Sequence, residues 1–316
     1  TCAALGADVI STNCGNGPEQ LYALLKGLKK DLQKIHIPLM IMPNAGLPTL
    51  LDGKAVYTML PEEFGKKTAA CSELGFQFFG GCCGTSPAHI KQLRLALEKQ
   101  EKCASKPKAS EKAIYFTSRG AYVELGKKSP LLKIGERLNP TARKAFAEDI
   151  RNDRTAFLKQ EAAAQTAEGA ALLDLNVGVP EIDQKVVMKK MISTLINSCQ
   201  TPLCLDSDDP AVLEIALKNY PGIALINSVN GKAHSMQNIL PLAKKYGAAV
   251  IALALDEKGI PNTAAGRMKI VKKIVAKAKP YGLSAARIFV DTLVMAVATD
   301  GAAPQVTIET IKACTS

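Results

Sequence analysis

Short apolar segments alternate along the chain with longer amphipathic segments. Each apolar segment ends in polar residues, and the nine of them span residues 7–14, 38–45, 76–83, 131–139, 171–178, 202–207, 223–230, 249–256 and 287–294. Near-continuous apolar strands that alternate with helices are typical of a parallel sheet covered by helices on both faces. The pattern therefore predicts an α/β fold with its reactive side chains at the carboxyl ends of the strands.

The alternation breaks once, at residues 103–113, where the sequence CASKPKASEKA predicts a linker. Residues 114–125 then predict a hairpin that closes the bottom of a barrel. Three βα units precede the linker and six follow it, whereas a (βα)8 barrel has eight. We therefore expect two TIM-type barrels in tandem, both incomplete: the last three units of one in residues 1–102 and the first six of another in residues 114–316. Such a chain would be an internal fragment of a longer one.

An open doubly wound sheet is the alternative architecture, because it also places ligands at the carboxyl ends of its strands. No Gly-x-Gly-x-x-Gly turn follows any of the predicted strands. The absence of this phosphate-binding turn argues against a nucleotide-binding protein of that type.

The composition and the distribution of charge indicate which kinds of partner the protein can bind. The net charge is +11, but the lysines are spread over many helical segments, aromatic residues make up 5% and tryptophan is absent. Solvated helix faces explain this charge better than a nucleic-acid interface.

No apolar segment approaches the ~20 residues of a membrane span. The nine cysteines are an odd number without a disulfide-dense framework. We therefore expect a cytoplasmic protein with reduced thiols and neither nucleic-acid nor membrane partners.

Two adjacent cysteines, Cys82 and Cys83, lie among glycines in FGGCCGT. The pair alone fits either small buried side chains or a metal site. Cys14 ends a predicted strand 68 residues earlier, at the same barrel mouth. Three thiolates leave one position of a tetrahedral Zn²⁺ open, as in catalytic zinc sites. Such a zinc ion can hold a substrate thiol as a thiolate at neutral pH.

The segments STNCGNGPEQL, MPNAGLP and FFGGCCGTSPAHI together resemble the last three strands of the zinc barrel in the homocysteine S-methyltransferase family. The resemblance implies that Cys14, Cys82 and Cys83 are zinc ligands and that homocysteine is the thiol substrate. It also implies that Asn44 lies next to the metal, for which a loop-capping asparagine is the alternative.

Carboxylates and carboxamides follow the strands of the second predicted barrel. Five successive strands end in such groups, which match the alternating donors and acceptors of a flat, nitrogen-rich heterocycle such as a pterin. The candidate residues of this site are Glu136, Asn139, Asp174, Asn176, Asp206, Asn227, Asp256 and Asp291. Taken singly, each of them also fits a helix cap or a loop.

The motifs GERLN, LDLNVG, CLDS, INS and KGIP resemble the pterin-binding barrel of methyltetrahydrofolate methyltransferases, within the wider group that includes dihydropteroate synthase. The resemblance implies that Asp174, Asp206, Asn227 and Asp291 contact the pterin. Arg267 is a candidate for the substrate's anionic tail, with a structural role as its alternative. For Glu136 the alternative is a buried carboxylate paired with Arg137.

A zinc barrel followed by a pterin barrel is the order of the cobalamin-dependent methionine synthase family, which this chain resembles over nearly its whole length. That resemblance implies methyl transfer from 5-methyltetrahydrofolate through cobalamin to zinc-bound homocysteine, with cobalamin held by a module outside this chain. The fragment alone is then expected to be inactive. The alternatives are a methyltetrahydrofolate:corrinoid-protein methyltransferase with a vestigial first barrel, and a non-enzymatic folate- or zinc-binding protein. Dihydropteroate synthase-like condensation is a third, against which the three thiols argue.

Overall fold

The computed structural model describes residues 1–100, 113–126, 129–296, 298 and 301–315. The chain folds as two units, one within residues 6–111 and the other within residues 112–316, apart from a few N-terminal residues. The predicted linker lies outside the described residues except for Ala113. The domain boundaries at residues 102 and 114 therefore stay a prediction.

The first unit contains a parallel sheet of three strands, Ile10–Asn13, Leu39–Met42 and Phe78–Phe79, which lie side by side in chain order. Helices connect these strands, and three of the four begin with a proline, which suits the first turn of a helix because that position needs no N–H donor. The described elements are β1 (Ile10–Asn13), α1 (Pro18–Gly27), α2 (Lys29–Leu32), β2 (Leu39–Met42), β3 (Pro48–Leu51), β4 (Lys54–Tyr57), α3 (Pro61–Ala69), β5 (Phe78–Phe79) and α4 (Pro87–Glu98).

Strands β3 and β4 form an antiparallel hairpin that our sequence analysis did not predict. The two residues of its turn, Asp52 and Gly53, have φ angles of 50° and 74°. Positive φ at both positions is the requirement of a type I′ turn, for which Asp-Gly is a preferred sequence. The dipeptide was the available signal for this hairpin.

The second unit contains a parallel sheet of six described strands, which again lie side by side in chain order. Helices follow the strands, as in a (βα)8 barrel. The described elements are β6 (Ile114–Thr117), β7 (Tyr122–Leu125), β8 (Ile134–Leu138), α5 (Lys144–Arg151), α6 (Ala156–Ala167), β9 (Leu172–Asn176), α7 (Gln184–Ser198), β10 (Leu203–Asp206), α8 (Pro210–Asn219), β11 (Leu225–Asn230), α9 (Ala233–Lys245), β12 (Ala249–Leu253), α10 (Ala264–Ala278), β13 (Ile288–Asp291) and α11 (Ala303–Thr315).

The two faces of this sheet bury different sets of side chains. On the helix-covered face, Leu173, Leu175 and Leu205 belong to a large core with the apolar sides of the helices. On the other face, Leu172 and Leu225 pack with Phe116 of the predicted hairpin, β6–β7. Because these two leucines begin their strands, the hairpin closes the amino-terminal end of the sheet, as predicted.

All nine apolar segments contain a strand of the structure, so the predicted α/β class is confirmed. The chain-ordered parallel strands agree with two incomplete barrels of three and six βα units, in the part of the chain that the structure describes. Among the described residues, no helix is both long and apolar enough to cross a membrane.

Candidate functional site

Three thiols from two strand ends meet in the first unit. The Sγ atoms of Cys14 and Cys83 lie 3.8 Å apart, those of Cys82 and Cys83 lie 3.9 Å apart, and all three lie within 4.8 Å of one another. A tetrahedral Zn²⁺ with Zn–S bonds of about 2.3 Å places its sulfur ligands about 3.8 Å apart. The sulfur positions therefore fit a zinc ion, while metal binding itself stays a prediction.

The backbone around the thiols explains how they come together. Cys14 directly follows β1, and its positive φ of 59° turns the chain out of the strand while its N–H donates to the carbonyl oxygen of Met42. The N–H of Cys82 donates to the carbonyl oxygen of Pro43, just after β2. Both cysteine segments are therefore anchored to the end of the same central strand.

Asn44 connects the two cysteine segments. Its side chain is 2% exposed, and its Oδ1 accepts a hydrogen bond from the N–H of Cys83 at 3.1 Å. The backbone N–H of Asn44 donates to the carbonyl oxygen of Asn16, two residues after Cys14, at 3.1 Å. The structure thus places Asn44 against the thiols, where it fixes the relative positions of Cys14 and Cys83.

Local hydrogen bonds shift the pKa values of Cys14 and Cys82 in opposite directions. The pKa of Cys14 is lowered, chiefly by a hydrogen bond from the backbone of Gly15 and then by those from the neighbouring thiols. The pKa of Cys82 is raised, chiefly by its hydrogen bond to Cys14. Of these two cysteines, Cys14 therefore more readily becomes a thiolate.

Tyr57, at the end of β4, is a residue of this site that the sequence analysis missed. Its side chain lies against Gly84, where an added Cβ would overlap the ring. The neighbouring thiol of Cys83 raises the pKa of the tyrosine, and burial acts in the same direction. Only recognition of the β3–β4 hairpin would have pointed to this residue.

Polar side chains pair across the carboxyl ends of β9, β10 and β11 in the second unit. The Nδ2 atom of Asn227 donates to Oδ1 of Asp174 at 3.1 Å, and Nδ2 of Asn176 donates to Oδ2 of Asp206 at 2.9 Å. The strand register places Asn176, Asp206 and Asn227 side by side. Four of the predicted pterin-binding residues thus form one continuous polar surface.

Burial sets the ionisation of the two aspartates. Asp174 is 4% exposed, and desolvation raises its pKa to about 6. Desolvation also raises the pKa of Asp206, and the nearby charge of Glu136 acts in the same direction on both. Cys204, which pairs with Asp174 in the strand register and was not selected from the sequence, lowers the pKa of Asp174 and partly offsets the shift. Near neutral pH, Asp174 can therefore change its charge in response to a ligand.

The alternative that paired Glu136 with Arg137 is wrong. Glu136 is exposed, whereas the guanidinium of Arg137 binds the carboxylates of Glu161 and Glu168 on and after α6. Adjacent residues of a strand point to opposite faces, so the two side chains diverge. Glu136 remains available on the same face as Asp174.

Three other predicted residues bind their own loops in this structure. The Oδ1 atoms of Asn139, Asp256 and Asp291 accept hydrogen bonds from the backbone N–H groups of Thr141, Lys258 and Leu293, respectively. These contacts are the loop and cap roles typical of Asn and Asp. The structure places all three after strand ends, but it does not join them to the Asp174–Asn227 and Asn176–Asp206 pairs.

A cavity of about 310 Å³ opens beside Asp206 and Asn227. Its wall also contains Asp208, Lys232 and His234, which the sequence analysis did not select. These residues come from the loops after β10 and β11 and from the start of α9, so no motif marks them. The cavity gives the polar surface an opening large enough for part of a small ligand.

The side chain of Arg267 is buried and binds groups of the protein itself. It is 2% exposed, and its guanidinium donates to the carbonyl oxygens of Pro261, Thr292 and Leu293 and to the hydroxyl of Thr307. These contacts tie the start of α10 to the segment that follows β13. The structural alternative for Arg267 therefore fits better than contact with a substrate tail.

Two family models match the chain, one for each unit. The model described as homocysteine S-methyltransferase matches residues 1–97, and the model described as pterin binding enzyme matches residues 135–315. Because the second match covers more than half of the chain, the protein belongs to the pterin-binding enzyme family. Both resemblances that the motifs predicted are thus confirmed.

Individual proteins resemble the chain over different lengths. It is 34% identical to methionine synthase of Mycobacterium tuberculosis over 93% of its length, and it spans only 25% of that relative. It is 34% identical to methylcorrinoid:tetrahydrofolate methyltransferase of Eubacterium limosum over 54% of the chain and 63% of that relative. Among solved structures, Yersinia pestis DHPS aligns with a TM-score of 0.43 at 17% identity, over 60% of this chain and 69% of that one.

Proposed function

We propose that this chain supplies two substrate sites of a methyltransferase that passes a methyl group from 5-methyltetrahydrofolate, through cobalamin, to homocysteine. The products are tetrahydrofolate and methionine. The observation that carries the proposal is that the sulfurs of Cys14, Cys82 and Cys83 lie within 4.8 Å of one another, in the segment that matches the homocysteine S-methyltransferase model. The resemblance to a methionine synthase over 93% of the chain supports it.

Cys14, Cys82 and Cys83 would hold Zn²⁺ on three sides and leave one position for the homocysteine sulfur. Bound zinc would supply the positive charge that keeps this sulfur a thiolate, and therefore a nucleophile, at neutral pH. Asn44 would hold the two cysteine segments in position, because its side chain accepts from the N–H of Cys83 and its own N–H donates to Asn16, two residues after Cys14.

The pairs Asp174–Asn227 and Asn176–Asp206 would bind the pterin ring of methyltetrahydrofolate, and Glu136 would lie beside them. Carboxylates accept hydrogen bonds from ring N–H groups, whereas carboxamides both donate and accept. We further propose that Asn139, Asp256 and Asp291 approach the ligand from the rim, which requires them to leave their loop contacts in part.

The methyl group leaves N5 of the folate as the C–N bond breaks, and the bonding electrons stay on nitrogen. N5 must therefore gain a proton, because an unprotonated tertiary amine is a poor leaving group. Cobalamin, held by another domain or protein, would carry the methyl group to the thiolate, where the new S–C bond forms.

We also propose a cytoplasmic location, which suits nine cysteines without a disulfide framework.

Two half-reactions measured on the full-length protein test the proposal. With labelled methyltetrahydrofolate, cobalamin and homocysteine, the parent should form labelled methionine. Cys82→Ala should abolish methionine formation but retain demethylation of the folate, because the thiols act only in the second half. Asn227→Ala should impair demethylation and leave methyl transfer from methylated cobalamin to homocysteine intact. Equal loss of both half-reactions in either folded variant would contradict two separate sites.

A second candidate is a corrinoid-protein methyltransferase in which the thiol cluster has no role. The 34% identity to the E. limosum methyltransferase over 54% of the chain favours it. A parent that demethylates the folate but makes no methionine would support this candidate. Binding of folate or zinc without either half-reaction would instead indicate a non-enzymatic binding protein. The presence of all three cysteines in one cluster favours the two-site enzyme.

A further inference from the structure

Strand β8 carries one residue more than the neighbouring strand β9 near its carboxyl end. Gly135 pairs with Leu173 and Leu138 pairs with Leu175, so two residues of β8 lie between pairs that enclose a single residue of β9. This β-bulge changes which side chains share a face, because it interrupts the regular alternation of the strand.

The bulge places Glu136 and Asn139 on the same face of the sheet. Gly135 and Leu138 both face the helices, because an added Cβ on Gly135 would overlap the Oε1 atom of Gln165 in α6 and Leu138 belongs to the helix-side core. Glu136 follows the first of these residues, and Asn139, whose backbone is extended, follows the second. Alternation therefore turns both toward the opposite, polar face. Residues three apart face opposite sides of a regular strand, so this pair shares a face only because of the extra residue.

Gln165 supplies a hydrogen bond that stabilises the bulge. Its side chain is 3% exposed, and its Oε1 accepts from the N–H of Arg137, within the bulge, at 3.0 Å. The guanidinium of Arg137 binds carboxylates on and after α6, on the same side of the sheet. Loss of the acceptor would leave the N–H of Arg137 unpaired, which costs free energy and favours a return to the regular ladder. A regular ladder would exchange the faces of Leu138 and Asn139.

We propose that Gln165 is a positioning residue for the folate site: by holding the bulge of β8, it keeps Glu136 and Asn139 together on the face that carries Asp174 and Asp206. This inference rests on the proposed binding of methyltetrahydrofolate to that face. Gln165 acts from the helix side of the sheet, through the backbone of β8. Its Nε2 atom has no hydrogen-bond partner among the described residues, so the role belongs to Oε1.

The test measures two quantities in the full-length protein: the dissociation constant of methyltetrahydrofolate, by calorimetry, and the temperature of unfolding. Gln165→Met removes the acceptor at similar volume, whereas Gln165→Glu keeps an oxygen in its place and adds a buried charge. Gly135→Ala displaces the same oxygen from the strand side, and it replaces Gln165→Met if that variant does not fold. Gln160→Met is the matched control, because Gln160 is exposed on the same helix.

Gln165→Met and Gly135→Ala should each weaken folate binding about tenfold. Gln165→Glu should unfold at a lower temperature, because it buries a carboxylate, yet bind the folate close to the parent. Gln160→Met should match the parent in both measurements. In an Asn139→Ala background, Gln165→Met should weaken binding much less, since Asn139 is then no longer there to be misplaced.

Parental affinity in both Gln165→Met and Gly135→Ala would overturn the inference and leave the folate site standing. The same loss of affinity in Gln165→Glu as in Gln165→Met, or the same loss with and without the Asn139 side chain, would also overturn it, because a purely structural role gives those results. A folded parent that binds no methyltetrahydrofolate would overturn the proposed folate site and this inference with it.

Discussion

The sulfurs of Cys14 and Cys83 lie 3.8 Å apart although 69 positions separate them in the sequence. Neighbouring parallel strands create this proximity, because Cys14 follows β1 and Cys83 follows β5, and both strands flank β2. The thiol cluster therefore depends on the packing of three βα units rather than on a local motif. Its integrity should respond to changes in the surrounding backbone as well as to changes in the cysteines.

Gly84→Ala should damage the cluster more than an equivalent change elsewhere. Gly84 has a φ of 76°, and an added Cβ would overlap the ring of Tyr57. Gly75→Ala is the matched control, because Gly75 has a φ of 94° but nothing within 4 Å of the added atom. Backbone strain alone should cost about 1–2 kcal/mol in either variant.

Urea titration and metal analysis would separate the two effects. Gly75→Ala should lower the free energy of unfolding by the strain alone and retain the metal, whereas Gly84→Ala should lose more stability and also bind less zinc. Equal losses of stability and unchanged zinc in both variants would show that the Tyr57–Gly84 contact does not shape the site.

Asp174→Asn should stabilise the ligand-free protein at neutral and alkaline pH. The carboxyl pKa rises from about 3.9 in the unfolded chain to about 6 in the folded one, so the folded state loses stability as pH rises between these values. An uncharged amide escapes this cost. The gain should be small near pH 4 and reach about 2–3 kcal/mol above pH 7.

Chemical denaturation at several pH values checks this difference. Asp183→Asn serves as the control, because Asp183 is an exposed cap of α7 and asparagine caps equally well. A constant stability difference between Asp174→Asn and the parent from pH 4 to 8 would show that burial of the Asp174 charge does not oppose folding.

Asn227→Ala should weaken the binding of methyltetrahydrofolate about tenfold or more, equivalent to about 1.4 kcal/mol. The substitution removes one candidate ligand contact and leaves the buried Asp174 without its amide donor. Isothermal titration calorimetry gives the dissociation constant. Asn219→Ala, which removes only a bond to the carbonyl oxygen of Ile215 in α8, should bind like the parent. An unchanged affinity in Asn227→Ala would remove Asn227 from the pterin site.

Strands β9 to β12 were predictable because their side chains are largely buried on both faces, which gives each of them a nearly continuous apolar segment. The β3–β4 hairpin was not predicted because its strands are short and β3 is fully exposed, which leaves only the Asp52-Gly53 turn as a signal. Tyr57 was missed for the same reason. Sequence spacing thus indicated the three thiols but not the side chain that packs on Gly84 beside them.

The hydrogen-bonded pairs of the polar site depend on the register between neighbouring strands, which cannot be read from the sequence. Motifs selected Asp174 and Asn227, but only the strand alignment shows that these two meet. The same strand periodicity explains the error over Glu136 and Arg137, whose side chains leave the strand on opposite faces. Asn139, Asp256 and Asp291 show that a residue type suited to a ligand is equally suited to its own turn.

Zinc content per chain, measured by elemental mass spectrometry on the folded full-length protein, tests the central claim most directly. The parent and Cys71→Ala, which changes a buried cysteine outside the cluster, should each contain about one zinc ion. The Cys82→Ala, Cys83→Ala double variant should contain almost none. A zinc-free parent, or a double variant with as much zinc as the parent, would contradict the assignment of the thiol cluster as the homocysteine-activating site.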